Sequence, residues 1–203
     1  MKFQKINKMK KIMFNDKFLL TQAVLRGEKT QTRRIVKDGT PLGDFKETLK
    51  HSPYKVGEVV AVAQSYKAIY DELEEKDGNC VANEWWCDAW DIAGGNIDIS
   101  AGYTNKMFVK AELMPHKIKI TNVRIEQLQD ISDEDCLREG ISHYTSADAQ
   151  NTESGFGFQS YKGGLYLFGT ARDAFATLID KVSGKGTWES NPYVWVYDFE
   201  LVK

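Results

Sequence analysis

The chain has no long apolar run. Its longest, such as Val59 to Ala63, fall far short of the roughly 20 residues a bilayer-crossing helix needs. No membrane partner is expected, and the basic N-terminal residues are not followed by a signal-peptide core, because Phe18-Leu19-Leu20 gives way at once to Thr21 and Gln22. A cytoplasmic protein is therefore expected. Cysteine is scarce: Cys80, Cys87 and Cys136 are odd in number and lack the two-residue spacing of a zinc site, so reduced thiols are expected. His51, His116 and His143 are scattered and suggest no metal triad. Glycine-rich phosphate loops, Ser-His-Asp nucleophile signatures and internal repeats are also missing. No cofactor is expected.

The 203 residues, 42% hydrophobic, are enough for one sizeable core and short of two ordinary domains. One domain over residues 11–203 is expected, behind a basic leader at residues 1–10 and carrying insertions at about 67–106 and 142–170. Charge is unevenly spread. Residues 1–37 hold eleven Lys and Arg against Asp16 and Glu28, whereas the remainder holds sixteen against twenty-seven carboxylates. Such asymmetry marks either a basic surface for a polyanion or a solvated leader.

Lys11 to Phe14 reads as a short strand, and Asn15 or Asp16 can cap a helix with Phe18, Leu19, Ala23 and Val24 on its apolar positions. Gly27 suits the C-terminal cap of that helix, which places Lys29 in a turn before a strand through Arg33, Ile35 and Val36. A turn at Pro53 to Glu58 delivers a buried strand from Val59 to Tyr66, and Met107 to Leu113 and Lys117 to Leu128 read as two more. Ser132 is placed to cap a short helix carrying Cys136 to Glu139, with Asp135 where a reciprocal capping residue belongs. Ala171 to Val182 is amphipathic, and Tyr193 to Val202 closes the chain as a strand. Strands interrupted by separate helices, without regular βαβ alternation, predict an α+β fold built on a mixed β-barrel.

Several segments together resemble the ASCH family, whose fold is related to the PUA domains that bind RNA. They are Gly27-x-Lys29 running to Arg34, Tyr54-x-Val56-Gly57-Glu58, Thr121 to Glu126, Asp130-Ile131 through Glu139-Gly140-Ile141, and Asn191 to Val196. Thr32 stands where the general family pattern has an acidic residue. The bacterial N4-acetylcytidine amidohydrolases of that family are similar in having Lys-Thr-x-Thr-x-Arg, matched here by Lys29, Thr30, Thr32 and Arg34. By that resemblance the catalytic residues fall on Lys29, Thr32 and Glu139. Those enzymes are about half this length, and larger phage-associated ASCH proteins resemble the chain more closely overall. Many of these carry Arg-Glu-Thr-Trp where this chain has Ala63-Gln64-Ser65-Tyr66, a departure that removes an Arg and a carboxylate from a strand end bordering the cleft; Gln64 and Tyr66 there, with Arg33 and Arg34, are the expected substrate contacts.

Amide hydrolysis needs a nucleophile, a base, an oxyanion stabiliser and an acid for the leaving nitrogen. Thr32 offers a hydroxyl, Lys29 a base if burial or neighbouring cations lower its pKa, and Glu139 an acid. Residues three apart lie on opposite faces of a strand, so Lys29 and Thr32 can cooperate only if the segment turns. Thr32 and Arg34 share a strand face and Arg33 takes the other, which makes Arg34 the preferred anion partner. Trp85, Trp86, Trp90 and Trp188 can stack bases or fill a core. The functional expectation is a monomer that binds a nucleoside, nucleotide or single-stranded RNA and hydrolyses the amide of an N4-acylated cytidine. Its rivals are a non-catalytic RNA- or DNA-binding module and a phage-derived interaction protein with a vestigial pocket.

Overall fold

A computed structural model describes residues 9–93, 95, 97, 100–145 and 154–202. Its elements, in chain order, are β1 (Lys11–Ile12), α1 (Leu20–Leu25), β2 (Gln31–Ile35), α2 (Phe45–Lys50), β3 (Val59–Val62), α3 (Tyr66–Asp77), α4 (Asn79–Ala93) and β4 (Lys117–Gln127). There follow α5 (Asp133–Arg138), β5 (Ser142–Tyr144), β6 (Gly155–Gln159), β7 (Leu165–Phe168), α6 (Ala171–Ser183), α7 (Thr187–Ser190) and β8 (Tyr193–Leu201). Most of the basic leader and residues 146–153 of the second insertion lie outside the described residues. None of the described helices is long and apolar enough to cross a membrane.

The chain divides into two compact units, one of Met1–Phe14, Val59–Ile118 and Val202, the other of Asn15–Glu58, Lys119–Leu201 and Lys203. In the first, β1 pairs in parallel with β3, Lys11 opposite Ala61 and Ile12 opposite Val62. The small apolar residues Val60 to Ala63 are fully buried there, as their branched and compact side chains favour. The strand expected to reach Tyr66 stops at Val62, because Ser65 turns the chain into α3 by accepting the Ala68 N–H at 3.2 Å. The first insertion is thus a helical pair, α3 and α4, with Tyr66, Ile69 and Ala89 in the core. Trp85 and Trp86 pack half-buried against that core, while Trp90 is exposed.

The strand expected over Met107 to Leu113 does not form. Single 3-10 turns at Lys106–Phe108 and Ala111–Leu113 replace it. Asn105 caps the first through the Met107 N–H at 2.9 Å, and Lys11 Nζ donates to the carbonyls of Met107 and Val109 at 2.6 and 2.7 Å. Those carbonyls are then unavailable to a strand ladder.

In the second unit, β8 lies between β4 and β2. β2 runs antiparallel to β8, with Gln31 opposite Asp198, Thr32 opposite Tyr197 and Arg34 opposite Trp195. The second insertion contributes an antiparallel sheet of order β5-β6-β7. On α6, Ala171, Ala174, Phe175 and Leu178 recur at helical spacing and are buried, and Trp188 meets Phe175 edge-on at 6.2 Å. The single helix expected after Asn15 is broken by Leu19, whose φ of 55° separates a 3-10 turn at Asp16–Phe18 from α1. Neither Asn15 nor Asp16 caps it in the expected way: Asn15 makes no side-chain cap, and Asp16 Oδ1 accepts the Thr21 hydroxyl at 2.5 Å. The class is mixed α+β, as expected. The barrel is a correction: the strands pair as open sheets, β2 ends its sheet with a free edge, and no closed barrel forms among the described residues.

Gly157 in β6 has no room for a side chain, since a Cβ there would lie 1.9 Å from the Tyr166 carbonyl oxygen of β7. Gly157→Ala should lower unfolding free energy by about 1–3 kcal/mol in urea titrations. Gly169→Ala, with nothing within 4 Å of its Cβ, should stay within about 0.5 kcal/mol of the parent.

Candidate functional site

The site residues of the second unit are set by the turn after α1. Gly27, at φ 74°, ends that helix, and the Glu28 and Lys29 N–H groups both return to the Ala23 carbonyl. Ladder pairing with β8 begins at Thr30, whose carbonyl accepts the Phe199 N–H at 2.9 Å. The segment is therefore extended from Thr30 onward, and side chains alternate. Lys29, Gln31 and Arg33 take one face. Thr32 and Arg34 take the other.

Lys29 is 2% exposed and donates from Nζ to Glu139 twice, to the main-chain carbonyl at 2.6 Å and to Oε2 at 2.5 Å. Glu139 closes α5 as its C-cap, and Gly140 follows with φ 102°, a conformation glycine adopts readily. A Cβ on Gly140 would lie 3.2 Å from Leu20 Cδ2, a tight contact, and 3.6 Å from Lys29 Cδ, an ordinary one. The lysine ammonium thus sits at the carbonyl end of α5, where a cation is favoured. Its presence explains how a carboxylate is held at that same end.

Around this pair is a network that was not foreseen. Arg33 donates from Nη1 to Glu139 Oε1 at 3.1 Å, from Nη2 to Glu126 Oε1 at 2.5 Å and to Asp135 Oδ2 at 3.0 Å. Its guanidinium lies 5.8 Å from the centre of the Phe175 ring. Arg124 donates to Glu126, Asp135 and Asp198, and Arg138 Nη2 to Asp198 Oδ1 at 2.8 Å. Gln31 Nε2 bridges Asp135 and Asp198 at 3.0 and 2.7 Å, while its Oε1 accepts from Arg33. Lys29, Arg33, Arg124 and Arg138 are balanced by Glu126, Asp135, Glu139 and Asp198. Asp135 is committed to these cations instead of completing the expected capping box, although Ser132 Oγ does accept the Asp135 N–H at 3.1 Å.

Burial pushes the Lys29 ammonium below its ordinary pKa, with Glu139 opposing and Arg34 and Arg33 adding to the fall. For Arg33, burial acts downward but Glu139 and Glu126 outweigh it and hold the group above its usual value. Burial likewise raises the Asp135 carboxyl, yet hydrogen bonds from Gln31 and Arg33 and the charge of Arg124 bring it below the usual range.

On the opposite face, Thr32 is 4% exposed and Arg34 half-buried. Burial lowers the Arg34 pKa, opposed by Tyr54, Glu139 and Tyr197. Tyr197 meets Tyr54 edge-on at 5.2 Å and shares a 2.9 Å hydrogen bond with Ser52; burial pushes its phenol up to about 12. The structure thus joins Lys29, Glu139 and Arg33 through direct bonds, and strand alternation separates Thr32 and Arg34 from Arg33. Of the two arginines, Arg33 makes the hydrogen bond to Glu139. Gln64 and Tyr66 belong to the first unit and are engaged there: Gln64 Nε2 donates to Glu72 Oε2 at 2.7 Å, and the Tyr66 hydroxyl accepts the Lys110 N–H at 2.9 Å. Among the described residues, no cluster of His, Cys, Asp and Glu could hold a metal ion.

A sequence signal for the network existed in β8, where Asp198 interrupts the apolar run from Val194 to Phe199, and in β4, where Arg124 and Glu126 share a strand face. A search against protein families, curated proteins and solved structures finds no match to the chain.

Removing one member of a buried ion pair leaves the other desolvated and uncompensated. Lys29→Met should therefore cost about 3–5 kcal/mol in urea unfolding, and adding Glu139→Gln should return part of that loss. A single-variant cost below about 1 kcal/mol would show that the pair contributes little to the fold.

Proposed function

We propose that the chain is an ASCH-type protein of PUA-like fold that binds a nucleoside or nucleotide and hydrolyses the amide of an N4-acylated cytidine. One observation carries this reading: the buried Lys29–Glu139 contact, 2.5 Å between residues 110 positions apart, in which the lysine pKa is lowered. A buried lysine of lowered pKa sharing a proton with a carboxylate in direct contact supports the proton transfers that amide hydrolysis requires.

In the proposed reaction the Thr32 hydroxyl, once the turn at Gly27 rearranges to bring it from the opposite face of β2 to the Lys29 side, attacks the acyl carbon and its proton passes to Lys29. The C–N4 bond then breaks as the amino group takes a proton relayed through Glu139. Water hydrolyses the resulting threonyl ester, so that amide and water become cytidine and a carboxylic acid. Thr32 and Arg34 share the ligand-facing side of β2 in this reading, with Arg34 stabilising the oxyanion. Strand alternation makes the Thr32 step the one that demands most movement. If water attacks directly, Thr32→Ala retains activity; if threonine attacks, that variant loses it.

A specific observation favours a second reading. Lys29 and Glu139 are 2% and 5% exposed and lie in a network with equal numbers of cations and carboxylates, which is also how an internal staple would look. In that case the chain is a non-catalytic RNA- or DNA-binding module, and Arg34→Ala weakens salt-dependent oligonucleotide binding.

Incubation with N4-acetylcytidine separates the two. Cytidine should be released, and Lys29→Ala and Glu139→Ala should lower kcat/KM by at least about a hundredfold. Because the base form of Lys29 is the active one, kcat/KM should rise with pH through a midpoint below the ordinary lysine value of about 10.4. Failure to release cytidine, or equal activity in folded variants, would exclude the hydrolase.

A further inference from the structure

The helical pair of the first unit carries chemistry that the nucleoside reading does not use. Helices α3 and α4 hold eight carboxylates against only Lys67 and Lys76. They also present an open cavity of about 250 Å³ lined by Lys67, Tyr70, Asp71, Asn83, Trp86 and Tyr103. Trp86 stands edge-on to both tyrosines, 5.5 Å and 83° from Tyr70 and 6.1 Å and 85° from Tyr103. All three rings are half-buried. They are held by the core behind them, where Trp86 and Tyr103 pack against the apolar cluster of the unit. The Tyr70 hydroxyl donates to Asn83 Oδ1 at 3.0 Å, which further fixes that ring.

Three aromatic rings at near right angles do not form a parallel slot for a flat base. They form walls whose faces carry negative quadrupole charge, an arrangement suited to a compact cation. The exposed Asp71 carboxylate lies on the rim, and the field of the surrounding carboxylates favours positive charge. Lys67 is already there, paired with Asp71 at 2.6 Å in an exposed contact four residues along the helix. Such exposed pairs are weak and exchangeable.

We propose that this cavity binds a quaternary or methylated ammonium group, with Tyr70, Trp86 and Tyr103 enclosing the cation and Asp71 providing its counter-charge. Bulky, weakly hydrated ammonium groups lose little solvation on entering an aromatic cage, whereas a primary ammonium such as that of Lys67 stays at the rim in water. The site lies wholly within the first unit and is independent of Lys29 and Glu139.

Isothermal titration calorimetry on the full chain, with choline and Nε-trimethyl-lysine as probes, tests this. Both should bind saturably. Free lysine and 3,3-dimethylbutan-1-ol, the neutral analogue with carbon in place of nitrogen, should bind about tenfold more weakly or not at all. Asp71→Asn, an exposed change, should weaken choline binding several-fold; Lys67→Ala should strengthen it, since the resident cation is removed. Trp86→Ala should abolish binding, whereas Trp90→Ala, outside the cavity, should leave it unchanged. A tighter trimethyl-lysine than choline would point to a modified protein as the source, and the reverse to a small molecule. Equal binding of choline and its neutral analogue would overturn the proposal, as would binding of uridine monophosphate in place of choline, or no saturable binding of either ammonium.

Discussion

A lysine ammonium cannot be taken out of water alone. At Lys29 the chain does so completely, and the local fold of the second unit follows from how that charge is compensated. Desolvating an ion costs on the order of several kcal/mol even after relaxation, so the site must supply an opposite charge at contact distance and acceptors for the remaining protons. Glu139 does both, through a carboxylate oxygen and a main-chain carbonyl. Placing that carbonyl requires α5 to end where it does, and Gly140, at φ 102°, lets the chain leave in a conformation that glycine adopts readily. A charged partner brought inside then has a second oxygen to satisfy, which Arg33 does, and Arg33 in turn recruits Glu126 and Asp135. The network spreads until its charges balance, and Gln31 closes it by bridging two carboxylates that would otherwise repel.

The same logic explains why the two arginines of the motif have such different surroundings. In an extended strand, adjacent residues cannot face the same way. Arg33 follows Lys29 and Gln31 onto the side of α5 and α6, where carboxylates await it. Arg34 is turned towards Tyr54 and Tyr197, whose phenols stay neutral across ordinary pH. Glu139 acts on Arg34 as well, between the effects of the two phenols.

Much of this was legible in the residues, and the parts that were not have physical causes. Gly27 as a helix end, β2 after it, the Ser132 cap and the amphipathic α6 are written in local signals of a few adjacent residues, and each forms. The pairing of Lys29 with Glu139 was reachable only through resemblance, because residues 110 apart share no local pattern. The wider network was missed for a related reason. Arg124, Arg138 and Asp135 look like ordinary surface charges in isolation, and only Asp198, embedded among apolar neighbours, advertises a buried partner. Met107 to Leu113 misled because its apolar content suits a strand, whereas Lys11, almost a hundred residues earlier, takes two of its carbonyls. The first insertion showed no helical pattern in sequence because α3 and α4 are rich in carboxylates and contribute only a few residues, such as Ile69 and Ala89, to the core.

The charge distribution also bears on the proposal that the chain binds a nucleoside or nucleotide. A long polyanion samples the field of the whole molecule, and its affinity falls with every carboxylate it must approach. Here the net charge is −2, and eight carboxylates are concentrated on α3 and α4. The cations of the Lys29 face are already matched one for one by buried acids, so they add little to any long-range attraction. A nucleoside or single nucleotide carries at most a few charges and depends less on that long-range field. Under the proposed function, this balance of charge suits a small ligand better than an extended polyanion.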